Sequence, residues 1–178
     1  MGSRSIRFVA LALAVLGIWV VAAPAGAAPE HQTRSLSALE QGVLADLNGL
    51  RKEHGLAPLR VSSSLSAAAR QHSSEMGARG YFSHSSANGA SFDKRISRYY
   101  PMGRSRYWSV GENLLWSSPD VDAGGALEMW WNSPEHRKNM LTARWREIGI
   151  SAVHVAAAPG TYGGREVTIV TTDFGVRR

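Results

Sequence analysis

The sequence predicts an α+β fold in which several helices pack on a small sheet. Along the first half of the chain, apolar residues recur at steps of three and four, which is the period of one helical face. Near the C-terminus, apolar residues alternate with polar ones instead, which is typical of strands with one buried face. Helices and a sheet can bury their apolar faces against each other, so the two patterns together indicate a layered domain.

The first 27 residues are predicted to be a secretory signal peptide. Arg4 and Arg7 precede an apolar stretch over residues 8–23, and the small residues from Ala25 to Ala27 follow. That order is typical of a cleaved leader. A membrane anchor is the alternative, but the stretch is shorter than the ~20 apolar residues that a span needs. The mature chain is therefore predicted to be secreted and not to be an integral membrane protein.

A polar lead is predicted over residues 28–35 and one domain over residues 36–178. A chain of about 150 residues can bury a sufficient core by itself. The sequence contains no cysteine, which excludes disulfides, a lipid-anchor cysteine and a thiol nucleophile. The formal net charge is +6, but the basic residues are scattered among acids and form no block. A nucleic-acid partner is therefore not expected.

The first predicted helix begins at Ser37 and ends before Gly55. Ser37 and Glu40 have the spacing of a capping box at its start. The apolar residues of this segment lie three or four positions apart: Leu36, Leu39, Val43, Leu47 and Leu50.

A second helix is predicted to start at the serine cluster 62–64 and to be broken by Gly77 and Gly80. His72 lies on the apolar side of this helix. The expected role of His72 is that of a hydrogen-bonded histidine in the core.

Residues 81–110 are predicted to form a long loop with a short amphipathic piece over residues 92–99. Loops of this length are usually functional or disordered. The aromatic residues in this segment favour order, because disordered segments contain few of them. Its local concentration of arginines is expected to lie in a solvated loop: Arg95, Arg98, Arg104 and Arg106.

Two further helices are predicted from serine-proline pairs. Ser118-Pro119 provides an N-cap followed by proline, so a third helix is expected to start there and to run to about Trp131. Ser133-Pro134 repeats the signal and predicts a fourth helix. At least one of Trp130 and Trp131 is expected in the core.

Three strands are predicted over residues 110–116, 148–152 and 167–171. The last two alternate in hydropathy and are separated by Pro159-Gly160 and Gly163-Gly164. They are therefore predicted to pair antiparallel across a turn.

Three separated polar fragments are the candidates for chemistry: Ser83-His84-Ser85, Gly111-Glu112-Asn113 and Ser133-Pro134-Glu135-His136. The sequence lacks a serine nucleophile elbow, a His-Glu-x-x-His helix and a phosphate-binding glycine loop. If His84, His136 and Glu112 converge in one cleft, they would suit zinc or another divalent ion. The first turn of a helix lowers the pKa of a histidine such as His136, and this favours its neutral, ligating form.

Structural roles are equally open for these residues. His84 could be a surface loop residue, and Glu112 could cap backbone N–H groups. Asn113 and Ser133 fit orienting or capping roles in every interpretation. A buried hydrogen-bonded network that fixes the long loop against the fourth helix would explain the same set.

Five motifs follow one another along the chain: Leu47-Asn48-Gly49-Leu50-Arg51, Leu65-x-x-Ala68-Ala69, Phe82-Ser83-His84, Gly111-Glu112-Asn113-Leu114 and Trp130-x-x-Ser133-x-x-His136-Arg137-x-Asn139-Met140-Leu141. In this order they resemble the CAP (SCP-like) superfamily, which includes cysteine-rich secretory proteins, venom allergens and plant pathogenesis-related proteins. The likeness extends over about residues 39–174. It is greatest to the bacterial branch, in which Ser-Pro-x-His-Arg-x-Asn is usual.

The resemblance implies a three-layer α-β-α sandwich with a central antiparallel sheet and a cleft lined by two histidines and two acids. By motif, the histidines correspond to His84 and His136, and the first acid corresponds to Glu112. The second acid departs from the eukaryotic pattern, because Ser133 stands three residues after Trp130 where that pattern has a glutamate. Two nearby acids are the candidate substitutes: Glu135 and Glu128.

The resemblance leaves several functions open, because one fold hosts many roles. Members are implied in lipid or sterol binding, channel and receptor interaction, antimicrobial defence and, in isolated cases, proteolysis. The preferred hypothesis is a secreted, non-catalytic protein that binds a lipid, an envelope component or a protein partner through the cleft and the adjacent aromatic loops. The cleft residues are predicted to be His84, Glu112, Asn113, Ser133, Glu135 and His136.

The alternative hypothesis is a metal-assisted hydrolase. In that version, His84 and His136 hold zinc, and Glu112 serves as general base toward water. The sequence leaves open whether the secreted protein diffuses freely or stays with the envelope.

Overall fold

Five α-helices and four strands form residues 36–178, the part of the chain that the computed structural model describes. The predicted signal peptide over residues 1–27 and the lead over residues 28–35 lie outside the described residues. In chain order the elements are α1 (Ala38–Glu53), β1 (Arg60–Val61), α2 (Ser63–Arg79), α3 (Phe92–Ser97), β2 (Trp108–Ser117), α4 (Ala123–Trp131), α5 (Pro134–Met140), β3 (Glu147–Ala158) and β4 (Arg165–Arg177).

The strands form one sheet in the order β1-β3-β4-β2. Its three long strands pair antiparallel, as predicted. The short strand β1 pairs parallel with β3, with Arg60 opposite Glu147. The sequence does not predict β1, because two residues are too few to show alternation. Strand β2 lies at an edge of this sheet, so elements that follow it in the chain can pack beside it.

Helices cover both faces of the sheet, which confirms the predicted α-β-α sandwich. On one face, Leu47 of α1 and Trp130 of α4 share a core cluster with Phe174 of β4. On the other face, Met76 of α2 packs with Ile169 of β4. Successive residues of a strand point to opposite faces, so β4 contributes to both cores.

The first helix agrees with its predicted caps. Ser37 N–H donates to Glu40 Oε2 at 2.7 Å, and Glu40 N–H donates to Ser37 Oγ at 3.3 Å. The helix ends at Glu53, and Gly55 then adopts a φ of +68° that favours glycine.

The second helix is longer than predicted. Ser62 caps its start, and Gly80 ends it in the left-handed conformation with a φ of +70°. The prediction that Gly77 breaks the helix is wrong, because Gly77 lies inside it. A Cβ at this position would lie 2.8 Å from Val155 Cγ2, so this glycine allows α2 to approach β3 closely.

The third predicted helix begins later than its serine-proline signal. Its N-cap is Asp122, whose Oδ1 accepts from Gly125 N–H at 2.7 Å. The prediction of an N-cap at Ser118 is wrong, because Ser118 Oγ donates instead to the Glu166 carbonyl of β4 at 2.8 Å. The end at Trp131 and the start of the next helix at Pro134 are confirmed.

Residues 36–178 belong to one compact unit of the chain. Trp130 is only 1% exposed, as expected for one of the two tryptophans, and its indole N–H donates to the Leu114 carbonyl at 3.1 Å. This part of the chain therefore has a hydrophobic core of its own and is expected to fold without the first 27 residues. Within it, no helix has both the length and the hydropathy needed to cross a bilayer.

Candidate functional site

A cleft of about 420 Å³ opens along β2, between the loop after α2 and helix α5. Five of the six predicted site residues line it: His84, Glu112, Asn113, Glu135 and His136. Ser133 lies outside the lining and is the N-cap residue of α5, where its side chain makes no capping hydrogen bond. Three fragments that are distant in the sequence thus meet at one edge of the sheet.

The position of α5 beside the cleft is set by two asparagines. Asn113 Nδ2 donates to the His136 carbonyl at 3.1 Å. Asn139 Nδ2 donates to Asn113 Oδ1 and to the Glu112 carbonyl, each at 3.0 Å. A Cβ on Gly111 would lie 2.7 Å from Asn139 Oδ1, so the glycine allows this close approach. The Gly-Glu-Asn motif therefore fixes the helix that carries His136.

His84 contacts the buried carboxylate of Glu112. Its Nδ1 lies 2.7 Å from Glu112 Oε1 and donates to it in the tautomer that the acceptor favours. The His84 side chain is 52% exposed, whereas the Glu112 side chain is 0% exposed. The contact leaves Nε2 as the nitrogen of His84 that can meet a ligand in the cleft.

Arg95 is the cation beneath this pair, which the sequence analysis missed. The prediction that Arg95 lies in a solvated loop is wrong, because it is 1% exposed. Its Nη2 pairs with Glu112 Oε2. Its Nη1 donates to the His84 carbonyl at 3.0 Å and to Ser86 Oγ at 3.2 Å. The short helix α3 places Arg95 so that it holds both the carboxylate and the loop that carries His84.

A second buried acid, Asp173, lies beside Glu112. The two residues are directly opposite in the β2–β4 pairing. Neither carboxyl oxygen of Asp173 has a hydrogen-bond donor as partner within the described residues. Burial and then the adjacent charge of Glu112 raise the pKa of Asp173 well above its usual value of 3.8. Burial therefore favours the neutral form of Asp173, while Arg95 compensates the charge of Glu112.

The pKa values of two histidines near the cleft, His72 and His136, are lowered, which favours their neutral forms. Burial lowers the pKa of His72, whose Nε2 donates to the Ser83 carbonyl at 2.8 Å. The expected role of His72 as a hydrogen-bonded core histidine is thus confirmed. The pKa of His136 is also lowered, first by burial and then by the charge of His84. The sequence argument had assigned this direction to the helix N-terminus, but burial is the larger cause.

The cleft also contains residues outside the predicted site set, of which only Phe92 belongs to the aromatic loop that was expected beside the cleft. Lys138 and Arg144 place two cations at its wall, and Phe92 and Trp145 supply aromatic rings. These positions lie on different elements and loops, so their convergence depends on the tertiary fold. Of the candidate second acids, Glu135 is exposed at the cleft, whereas Glu128 is exposed on α4 outside its lining.

The two imidazoles of the cleft, His84 and His136, are its candidate metal ligands. Within residues 36–178, no group of three or more histidine or acidic side chains has an arrangement that could hold a metal ion. Both oxygens of Glu112 already have partners in His84 and Arg95. A metal at this site would therefore depend on His84, His136 and water.

Residues 44–171 match the cysteine-rich secretory protein family, CAP. The chain belongs to the CAP family. It is 35% identical to the uncharacterised protein YkwD of Bacillus subtilis over 136 residues, which cover 74% of this chain and 50% of YkwD. It is 30% identical to the uncharacterised membrane protein YlbC of the same species, over 71% of this chain and 35% of YlbC. The chain thus spans half or less of these curated relatives.

Solved structures agree with the CAP fold. An outer surface protein of Borrelia burgdorferi has a TM-score of 0.61 at 19% identity, with 78% of this chain and 92% of that chain covered. An extracellular SCP-domain protein of Bacillus anthracis has a TM-score of 0.59 at 27% identity, with 78% and 40% covered. Membership of the CAP family leaves the activity open, because a fold can host many functions.

Proposed function

We propose that this CAP domain is a secreted, non-catalytic binding protein that holds an anionic group of a cell-envelope component in the cleft. The observation that supports this most directly is the charge of the cleft. Lys138 and Arg144 lie at its wall, while the charge of Glu112 is compensated by buried Arg95. Glu135 is the other acid of the lining, so the two cations outnumber the acids that lack a buried cation as partner. The cleft therefore favours carboxylate or phosphate groups.

The rest of the lining suits a polar ligand with some apolar surface. Trp145 is buried, and Arg144 lies over its ring with its Cζ 4.6 Å from the centroid. Phe92 meets the His84 ring edge-on at 6.3 Å. The half-buried Phe92 ring can contact the apolar side of a sugar or an acyl chain, while the charged groups orient the polar part. A lipid headgroup and an envelope polymer share this chemistry.

The first test removes the two cations of the cleft together. In the Lys138→Ala, Arg144→Ala variant, affinity for an anionic probe is expected to fall at least tenfold, since a hydrogen bond to a charged group contributes about 1.5–3 kcal/mol. Calorimetry with glycerol phosphate and with a muramyl peptide would measure this change and would separate phosphate from carboxylate recognition.

The matched control is Lys52→Ala with Arg79→Ala, which removes two exposed cations away from the cleft. It should bind each probe as the wild type does. Native mass spectrometry after incubation with an envelope extract extends the search to larger ligands. If neither probe binds and no extract component is retained, the binding proposal fails. If only a protein is retained from the extract, the ligand is a protein partner and not a non-protein envelope component.

A metal-assisted hydrolase is the second candidate, and the His84–Glu112 contact favours it. A carboxylate that accepts from one ring nitrogen of a histidine orients the other nitrogen toward a metal. His84 and His136 would hold a divalent ion such as zinc, and the bound ion would supply a water activated near neutral pH. Glu112 would then orient His84, since its own oxygens already have partners in His84 and Arg95.

Zinc titration of the wild type, His84→Ala and His136→Ala tests this candidate. Stoichiometric binding is expected to be lost in both variants, and Glu112→Gln is expected to weaken it about 10–100-fold. His154→Ala is the control, because His154 is exposed and pairs with Glu166 outside the cleft. If zinc binds but no peptide or ester substrate is turned over, the metal site is retained and the hydrolase is rejected. If all variants bind zinc equally, the proposed metal site is rejected.

A further inference from the structure

A basic and aromatic surface lies at the end of the sheet where β2 begins and β4 ends. Met102 and Tyr107 of the loop before β2 are 45% and 44% exposed. Arg104 and Arg106 are exposed between them, and Arg177 is exposed at the end of β4. These five residues are called the end patch below.

The end patch is held in place by backbone contacts. Tyr107 and Arg178 exchange two backbone hydrogen bonds, each of 3.1 Å, and Arg106 N–H donates to the same Arg178 carbonyl at 2.6 Å. Arg177 Nη1 donates to the Pro101 carbonyl at 3.2 Å, beside Met102. The loop is therefore tied to β4, so that the cations and the apolar side chains share one end of the molecule.

The positive charge of the end patch is not compensated by nearby acids. Within residues 36–178, Arg104, Arg106 and Arg177 form no ion pair with a carboxylate. Glu147 lies opposite Gly175 in the β3–β4 pairing, but its carboxylate accepts from the Tyr100 hydroxyl. The guanidinium of Arg177 lies over the ring of Tyr100, 3.8 Å from its centroid. Arg104 and Arg106 thus remain available to an external anion, whereas Arg177 is held against Tyr100 and the Pro101 carbonyl.

We propose that the end patch docks this protein on an anionic lipid surface. Arginines attract anionic headgroups, whereas the tyrosine and methionine side chains beside them can enter the boundary between headgroups and acyl chains. A soluble polyanion would use the arginines but would gain little from exposed Met102. The combination of charge with apolar side chains at one loop therefore favours a lipid surface over a polymer.

Docking through the end patch would also bring the cleft close to the headgroups. Val110 lines the cleft and lies three residues after Tyr107 along β2, a distance of about 10 Å at the usual rise of a strand. The end patch shares no residue with the cleft lining, so docking does not depend on the proposed cleft ligand.

Vesicle sedimentation tests the proposal with the chain from residue 28 onward, which retains the whole described core but lacks the predicted signal peptide. The wild type is expected to bind vesicles of phosphatidylglycerol mixed with phosphatidylcholine, and not vesicles of phosphatidylcholine alone. Arg104→Ala with Arg106→Ala should weaken binding about thirtyfold, since each arginine near an anionic surface contributes about 1 kcal/mol. Salt at about 0.5 M should have a similar effect on the wild type.

Two comparisons decide between a lipid surface and charge alone. Lys52→Ala with Arg79→Ala removes the same number of exposed charges elsewhere and should keep the wild-type affinity; an equal loss in this control would overturn the proposal. Met102→Ser with Tyr107→Ser should weaken vesicle binding but not binding to dextran sulfate. If this variant binds vesicles as the wild type does, or if the wild type does not distinguish the two vesicle types, a lipid surface is rejected. Circular dichroism confirms that each variant is folded.

Discussion

Replacing Arg95 with leucine is expected to lower the free energy of unfolding by about 3–5 kcal/mol, because it leaves a buried carboxylate without its cation. Glu112 is inaccessible to solvent, and its Oε2 pairs with Arg95. The same change removes the donor to the His84 carbonyl. The loop that carries His84 would therefore also lose a tether. Urea unfolding at pH 7 would measure the loss as a lower midpoint.

Arg98→Leu is the matched control for this prediction. Arg98 is exposed three residues along the chain, and a surface substitution of this kind usually changes stability by about 0.5 kcal/mol or less. The double variant Arg95→Leu, Glu112→Leu is expected to be more stable than Arg95→Leu alone, since it buries no unpaired carboxylate at residue 112. Equal stability of the Arg95→Leu and Arg98→Leu variants would show that Arg95 does not compensate Glu112.

Replacing Asp173 with asparagine is expected to stabilise the fold progressively as the pH rises above 3.8. The pKa of Asp173 is raised in the folded state, first by burial and then by Glu112. Above the usual value of 3.8, the unfolded chain loses this proton while the folded chain keeps it. The wild type therefore loses stability relative to Asp173→Asn as pH rises toward the folded pKa, by at most about 1.4 kcal/mol per pH unit.

Unfolding of both proteins at a series of pH values measures this difference directly. The comparison cancels the opposite effect of His72, whose lowered pKa makes the fold lose stability as the pH falls below 6.5. Asp46→Asn is the control, because it changes an exposed carboxylate of α1. A stability difference between wild type and Asp173→Asn that does not vary with pH would show that folding does not raise the pKa of Asp173.

Local sequence signals were sufficient to predict a helix start wherever the residues of one segment determine that start. The capping box of Ser37 and Glu40 requires two residues at a fixed spacing, and α1 begins there. The serine-proline signal was correct at Pro134 but wrong at Ser118. Ser118 makes its hydrogen bond with Glu166, a residue distant in the sequence, and no local pattern reveals such a partner.

The cleft shows the same division between local motifs and tertiary contacts. The motifs that resemble the CAP family contain His84, Glu112 and His136, and the structure places all three in one cleft. Asp173 was not among the predicted site residues, because it lies beyond the predicted strand over residues 167–171 and belongs to none of the motifs. Arg95 carried no such signal, because an arginine among other basic residues of a loop is usually solvated.

Periodicity, caps and motifs are local in the chain, and they were enough to predict the α+β class, the places of most helices and of the three long strands, the CAP resemblance and the positions of the cleft histidines. Three other properties could be read only from the folded molecule: which charges are buried, which acid is neutral and which cations reach the cleft. Those properties depend on solvent exclusion and on distances between residues far apart in sequence, such as Glu112 with Asp173 across β2 and β4.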